Sequence, residues 1–162
     1  MIYFKSVQLP CNEKQLLEKA MRKVAIKRTR SLDFASVAYN TGAEKLFLGL
    51  DNKRDVKFTR LHTSLEKLLP TIIISFPKDE ADSRYRLRLG FFPTLFFALF
   101  VLLFLIPGVL WLINHDSYDG DNYDVIVVPV FFLGVFILLT WLELKIVDRQ
   151  MKKAVERYEK EN

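Results

Sequence analysis

Catalysis by side chains needs a nucleophile beside a base, and a metal centre needs several ligands that converge; this chain offers few residues for either. It has one cysteine, Cys11, and two histidines, His62 and His115. Cys11 falls at the expected start of a helix, where the dipole favours a thiolate, but no histidine or second cysteine is near it in sequence to complete a pair. The sequence contains no Gly-rich phosphate loop, no His-Glu-x-x-His zinc motif and no Gly-x-Ser-x-Gly nucleophile elbow. The expectation is a protein that is not an enzyme and uses no cofactor.

Asp116, Asp119, Asp121 and Asp124 form a weak candidate cation loop, because hard cations prefer clustered carboxylate oxygens. Their spacing is not that of a calcium loop, and no metal site is expected. Two basic clusters are better defined. Arg22, Lys23, Lys27, Arg28 and Arg30 make a candidate patch for a protein partner or a small anionic ligand. Arg84, Arg86 and Arg88 alternate with Tyr85, Leu87 and Leu89, as a strand with one basic face would, and are expected beside anionic lipid headgroups. Nucleic acid is not an expected partner, since no stacking aromatics are interleaved with the first cluster.

The elements that must carry these residues are of two kinds. Residues 89–113 contain no charged side chain, and as a helix they would extend about 37 Å, beyond the roughly 30 Å hydrocarbon core of a bilayer. Residues 125–142 form a second uncharged run. The rest of a 162-residue chain cannot build a soluble core large enough to bury both, so a two-helix transmembrane hairpin is expected. Residues 1–90 carry eighteen Lys and Arg against ten Asp and Glu, whereas the connecting loop 114–124 has four Asp and no Lys or Arg. By the positive-inside rule both termini are cytoplasmic and the acidic loop is external. Met1 to Gln8 lack the unbroken apolar run of a signal peptide, which points away from secretion.

Pro107-Gly108 and Pro129 predict kinks in the two spans, and Phe92, Phe96, Phe100 and Phe104 predict a ridge packed on Phe132 and Phe136. Ahead of the spans, strands are expected at residues 2–9, 32–39, 45–50, 56–61, 71–76 and 84–90. A helix after Pro10 is expected to be capped by Asn12 and to bury Leu16, Leu17, Ala20, Met21 and Val24. Thr63 and Glu66 suggest a second, short helix. Beyond the second span, Leu144, Val147, Met151, Ala154 and Tyr158 make an apolar seam, expected to dock on the chain's own domain.

The fold class is thus an α+β membrane protein: a small, mostly antiparallel cytoplasmic α+β domain over residues 1–88, the hairpin over 89–143 and a C-terminal cytoplasmic helix over 144–162. The expected function is a non-catalytic, membrane-anchored binding or sensing module at the inner face of the cytoplasmic membrane. Its expected partners are anionic lipid and either a protein or a second copy of the chain. Two alternatives fit the same architecture: an oligomerising effector that permeabilises the bilayer when its domain binds a ligand, and a small immunity protein that neutralises a toxin.

Overall fold

Alternation of apolar and polar side chains decides which side of a sheet each strand presents to the core. The computed structural model describes residues 3–29, 31–34, 45–62, 65–79, 82–113 and 124–161. Its strands are β1 (Lys5–Gln8), β2 (Ala25–Arg28), β3 (Phe47–Asp51), β4 (Asp55–Arg60), β5 (Ile72–Pro77) and β6 (Arg84–Leu89), with helix α1 (Cys11–Lys23) between the first two. They form one sheet in the order β1-β6-β5-β4-β3-β2. Only β2 and β3 pair in parallel; the other four pairings are antiparallel. The mostly antiparallel sheet with one main helix agrees with the sequence expectation.

On one face of the sheet, Phe47, Val56, Phe58, Ile72, Ile74, Phe76 and Leu87 meet Ala20, Met21 and Val24 near the end of α1. Val147, Met151 and Ala154 of a C-terminal helix complete that layer, so the apolar seam docks on the chain's own sheet as expected. The opposite face buries Leu32, Leu48 and Ile73. Gly49 faces Phe58 in register, and a Cβ there would stand 3.2 Å from the Phe58 ring, so the absence of a side chain lets that ring lie against the sheet.

Several local expectations are corrected. Asn12 does not cap α1: the cap residue is Pro10, and the Lys14 amide N–H donates to its carbonyl. The Lys14 side chain is buried and donates to the Asp79 and Asp82 carbonyls, tying α1 to the turn before β6. Leu32–Phe34 is a 3-10 turn rather than the start of a strand. The Ser31 hydroxyl accepts from the Asp33 amide N–H, a local bond that competes with a ladder. Residues 35–39 lie outside the described residues. Strand β2 was not expected, because its Lys27 and Arg28 read as a solvated cluster; its pairing to β3 supplies the reason it forms. The short helix after residue 62 is a 3-10 turn, Leu65–Leu68.

After β6 the chain becomes helical at once. α2 (Phe91–Phe100) continues through a π-helical turn, Val101–Leu105, into α3 (Ile106–Ile113). In that turn the Ile106 N–H donates to the Val101 carbonyl, five residues back. Pro107 follows immediately and has no N–H to return to the preceding turn, so a widened turn just ahead of it relieves the lost bond. The extra residue also shifts the side-chain register. The expected Phe ridge is only partly formed: Phe100 contacts Phe104, but the closest stacking on Phe136 is by Phe97 at 5.5 Å, beside Phe96 at 6.2 Å.

The last element, α4 (Asp124–Lys160), is a single helix with Pro129 inside it. Among the described residues it is the one helix long and apolar enough to cross a membrane; Phe91–Phe104 is a shorter apolar helix. Val127, Val130, Phe131, Ile137, Leu138 and Trp141 on α4 are exposed, unlike the core helix of a soluble protein.

The junction between β6 and α2 is tight. Gly90 donates its N–H to the Thr71 carbonyl at 2.7 Å, and a Cβ on Gly90 would lie 3.3 Å from that same oxygen. Backbone cannot yield as a flexible side chain can. Gly90→Val is expected to destabilise the protein by about 1–3 kcal/mol, read as a lowered unfolding midpoint in detergent.

Candidate functional site

Where helices meet the sheet, the described residues concentrate their buried charge. Arg60 ends β4 on the face that carries Val56 and Phe58, and so points toward α4. Its Nε donates to Glu143 Oε1 at 3.0 Å and its Nη2 to Glu143 Oε2 at 2.7 Å, a two-point pairing. The remaining guanidinium nitrogen, Nη1, lies 2.8 Å from Glu66 Oε2 on the 3-10 turn. His62, two residues past Arg60, brings Nε2 to 3.1 Å from Glu143 Oε1. The side chains of Arg60 and Glu143 are 1% and 0% exposed. Burial alone would lower the Arg60 pKa, but the hydrogen bonds and charges of Glu143 and Glu66 outweigh it and hold the guanidinium above its usual value.

A second clamp lies on the other face. Arg88 sits opposite Ile73 in the β5–β6 ladder and so shares the face of Leu32 and Leu48. Its Nη1 and Nη2 donate to Asp33 Oδ1 and Oδ2 at 2.7 and 3.0 Å. Asp33 Oδ1 also accepts the Phe91 amide N–H at 3.1 Å, the first N–H of α2, so the carboxylate caps that helix and complements its dipole. The hydrogen bond from Arg88, partly opposed by burial and assisted by the Arg88 charge, Ser31 and the Phe91 N–H, holds the Asp33 carboxyl below the ordinary carboxylate range. Thus one carboxylate–arginine pair fastens α4 to the sheet, and another fastens the start of α2.

The residues singled out from sequence are dispersed. Arg84 is exposed. Arg86 bonds Asp82 at 2.7 Å and lies over the Tyr3 ring. Arg88 departs from the expected headgroup position: it is 4% exposed and its charge is met by Asp33. In the first cluster, Arg22 bridges Glu18 and Asp51, and Lys23 pairs with Glu161. Lys27 is exposed and Arg28 half-buried, while Arg30 lies outside the described residues. Cys11 is exposed beside Gln15. Asp116, Asp119, Asp121 and His115 also fall outside the described residues, and Asp124 opens α4. Among the described residues no group of three His, Cys, Asp or Glu is placed to hold a metal ion.

The sequence pattern assigns no role in a site to Arg60, Glu143 or Asp33, and gives Glu66 only a place in the short helix after residue 62. Glu143 did carry a signal: it lies one turn before Val147, in line with the seam formed by Val147, Met151 and Ala154, and a carboxylate in an apolar seam requires a partner. Asp33 carried none, since its role depends on Arg88, 55 positions away. Set beside known proteins, the chain matches no family, no curated protein and no solved structure.

Proposed function

We propose that this chain is a non-catalytic, membrane-anchored binding or sensing module. In this reading the α2–α3 segment and the apolar part of α4 cross the inner membrane as a hairpin, with the sheet domain and both termini in the cytoplasm. The excess of Lys and Arg over residues 1–90, against the acidic loop 114–124, supports that orientation. Trp141, with Lys145 Nζ 3.9 Å from its ring centroid, suits the boundary between bilayer and cytoplasm. Anionic headgroups near Arg84 and Arg86 would add to the anchoring.

The observation that carries the proposal is the continuity of α4. One helix is exposed and apolar at its start, built into the sheet's core at its end, and locked by Glu143 at the changeover. A ligand or partner that shifts α4 against the sheet therefore shifts the membrane segment. Cys11 is exposed and reports the topology. A membrane-impermeant thiol reagent should leave it unmodified in intact cells and modify it after lysis; modification from outside would reverse the orientation. Binding is tested by capture of the intact protein in mild detergent together with light scattering. A stoichiometric partner or a defined oligomer is expected, and a bare monomer with no thermal response to any added ligand would defeat the reading.

The π-helical turn Val101–Leu105 favours a second reading, the oligomerising membrane effector, because widened turns mark helices that can rearrange. A dye-leakage assay separates the two: an anchored module leaves vesicles sealed, whereas an effector releases dye when its domain is engaged.

A further inference from the structure

Between α1 and the cytosolic half of α4 runs an open groove of about 480 Å³. Leu16 and Leu17 of α1, Met151 and Val155 of α4, and Tyr85 of β6 make its apolar floor. The Tyr85 ring is held in place by stacking on Phe76, with centroids 5.7 Å apart. Around this floor stand Glu13, Asp148 and Glu156, with Lys152 as the one basic residue. Lys152 is already engaged, its Nζ lying 3.2 Å from Asp148 Oδ2. The chain as a whole has a net charge of +5, yet here carboxylates outnumber ammonium groups three to one. Burial, and to a smaller extent the Asp148 charge, raise the Tyr85 pKa.

We infer that this groove binds a small lipophilic cation, an ammonium or phosphonium centre carrying apolar substituents, with Glu13 and Glu156 facing the charge and Tyr85, Met151 and Val155 burying the apolar part. An apolar cleft of this size with a few placed charges is of the kind that holds a single drug-sized ligand. Aromatic faces and carboxylates together favour cations that are weakly hydrated. A helical peptide, by contrast, needs anchors at i, i+3, i+4 and i+7 along a longer trough. The inference rests on the binding-module reading and assigns that module a ligand class. It also links occupancy to the membrane, because Asp148, Met151 and Val155 lie on the helix that Glu143 locks to the sheet.

The test uses the intact protein in nanodiscs of zwitterionic lipid, titrated with tetraphenylphosphonium and, separately, with tetraphenylborate, an anion of nearly the same shape. Saturable one-to-one binding of the cation with a raised unfolding midpoint is expected, and no saturable binding of the anion. The double variant Glu13→Gln, Glu156→Gln should weaken cation binding by about tenfold, and Lys152→Gln should strengthen it severalfold, since each changes the charge facing the ligand. Leu17→Gln, which makes the floor polar without adding a charge, checks that the apolar surface is used and should weaken binding severalfold. Equal response to both ions, or cation binding unchanged in the double variant, would identify bilayer partitioning and overturn the inference. Binding of a Lys/Leu amphipathic peptide without binding of tetraphenylphosphonium would overturn it as well. A partner still captured in mild detergent under those outcomes would leave the anchored-module reading standing.

Discussion

Glu143→Ala is expected to lower the stability of the detergent-solubilised protein by about 3–5 kcal/mol, the cost of stranding one member of a buried ion pair. Arg60 would keep Glu66 as a partner, but its Nε and Nη2, now aimed at Glu143, would face a cavity. His62 would lose the same carboxylate. The paired replacement Arg60→Met, Glu143→Leu should cost clearly less than Glu143→Ala, because it removes both charges and leaves none unpaired. A double-mutant cycle of Arg60→Met, Glu143→Leu and their combination, from chemical denaturation, measures the coupling; additive single and double effects would show that the clamp contributes no interaction energy. The two variants also separate stability from communication. If α4 transmits motion, the double replacement should keep the fold and still loosen hydrogen exchange across residues 140–150.

Acid should release the second clamp. The Asp33 carboxyl is held below its ordinary range by Arg88, so the folded state binds its proton less readily than the unfolded state does. Its contribution is therefore fully present above the unfolded value, about 3.9, and is lost as pH falls through the lower folded value. Wild-type stability should decline from about pH 5 downward. Asp51 and Asp55 are depressed in the same direction, Asp51 by hydrogen bonds from Lys78 and Arg22, and Asp55 by Asn52, Ser75 and Lys57 against an opposing effect of burial. The decline is consequently shared, and only a comparison isolates Asp33. Asp33→Ala should cost about 3 kcal/mol at neutral pH, through the stranded Arg88 and the uncapped Phe91 N–H, and its stability should fall less steeply in acid. Parallel curves for variant and wild type between about pH 5 and pH 2 would show that Asp33 is not depressed in the folded protein.

Much of the scaffold could be read from short-range pattern. The alternation Arg84-Tyr-Arg-Leu-Arg-Leu marked β6, the run Ile72, Ile73, Ile74 marked β5, and the helical spacing of Leu16, Leu17, Ala20, Met21 and Val24 marked the buried side of α1, although Leu16 is only half-buried and lies outside the core, lining an open groove. The seam from Leu144 to Tyr158 was placed against the sheet for the same reason. What escaped was of a different nature. β2 is a strand because β3 lies beside it in parallel, and the four residues Ala25–Arg28 have no alternation of their own strong enough to show it. Asp33 lay in an apparent strand, and the turn that replaced it is held by Ser31 and by Arg88 across the sheet.

Hydrophobic periodicity and uncharged runs are properties of neighbours a few residues apart, so this chain's amino-acid order was enough to specify a basic α+β domain, its core-facing side chains and an apolar helical end. The two clamps are properties of residues 83 and 55 positions apart. Whether Arg60 meets Glu143 and Arg88 meets Asp33 depends on which sheet face each strand residue takes and which helix covers that face, a matter settled by packing. The same basic residues that read as headgroup contacts became, in one case, a buried fastening, because a desolvated guanidinium is stable only where folding delivers a carboxylate to it.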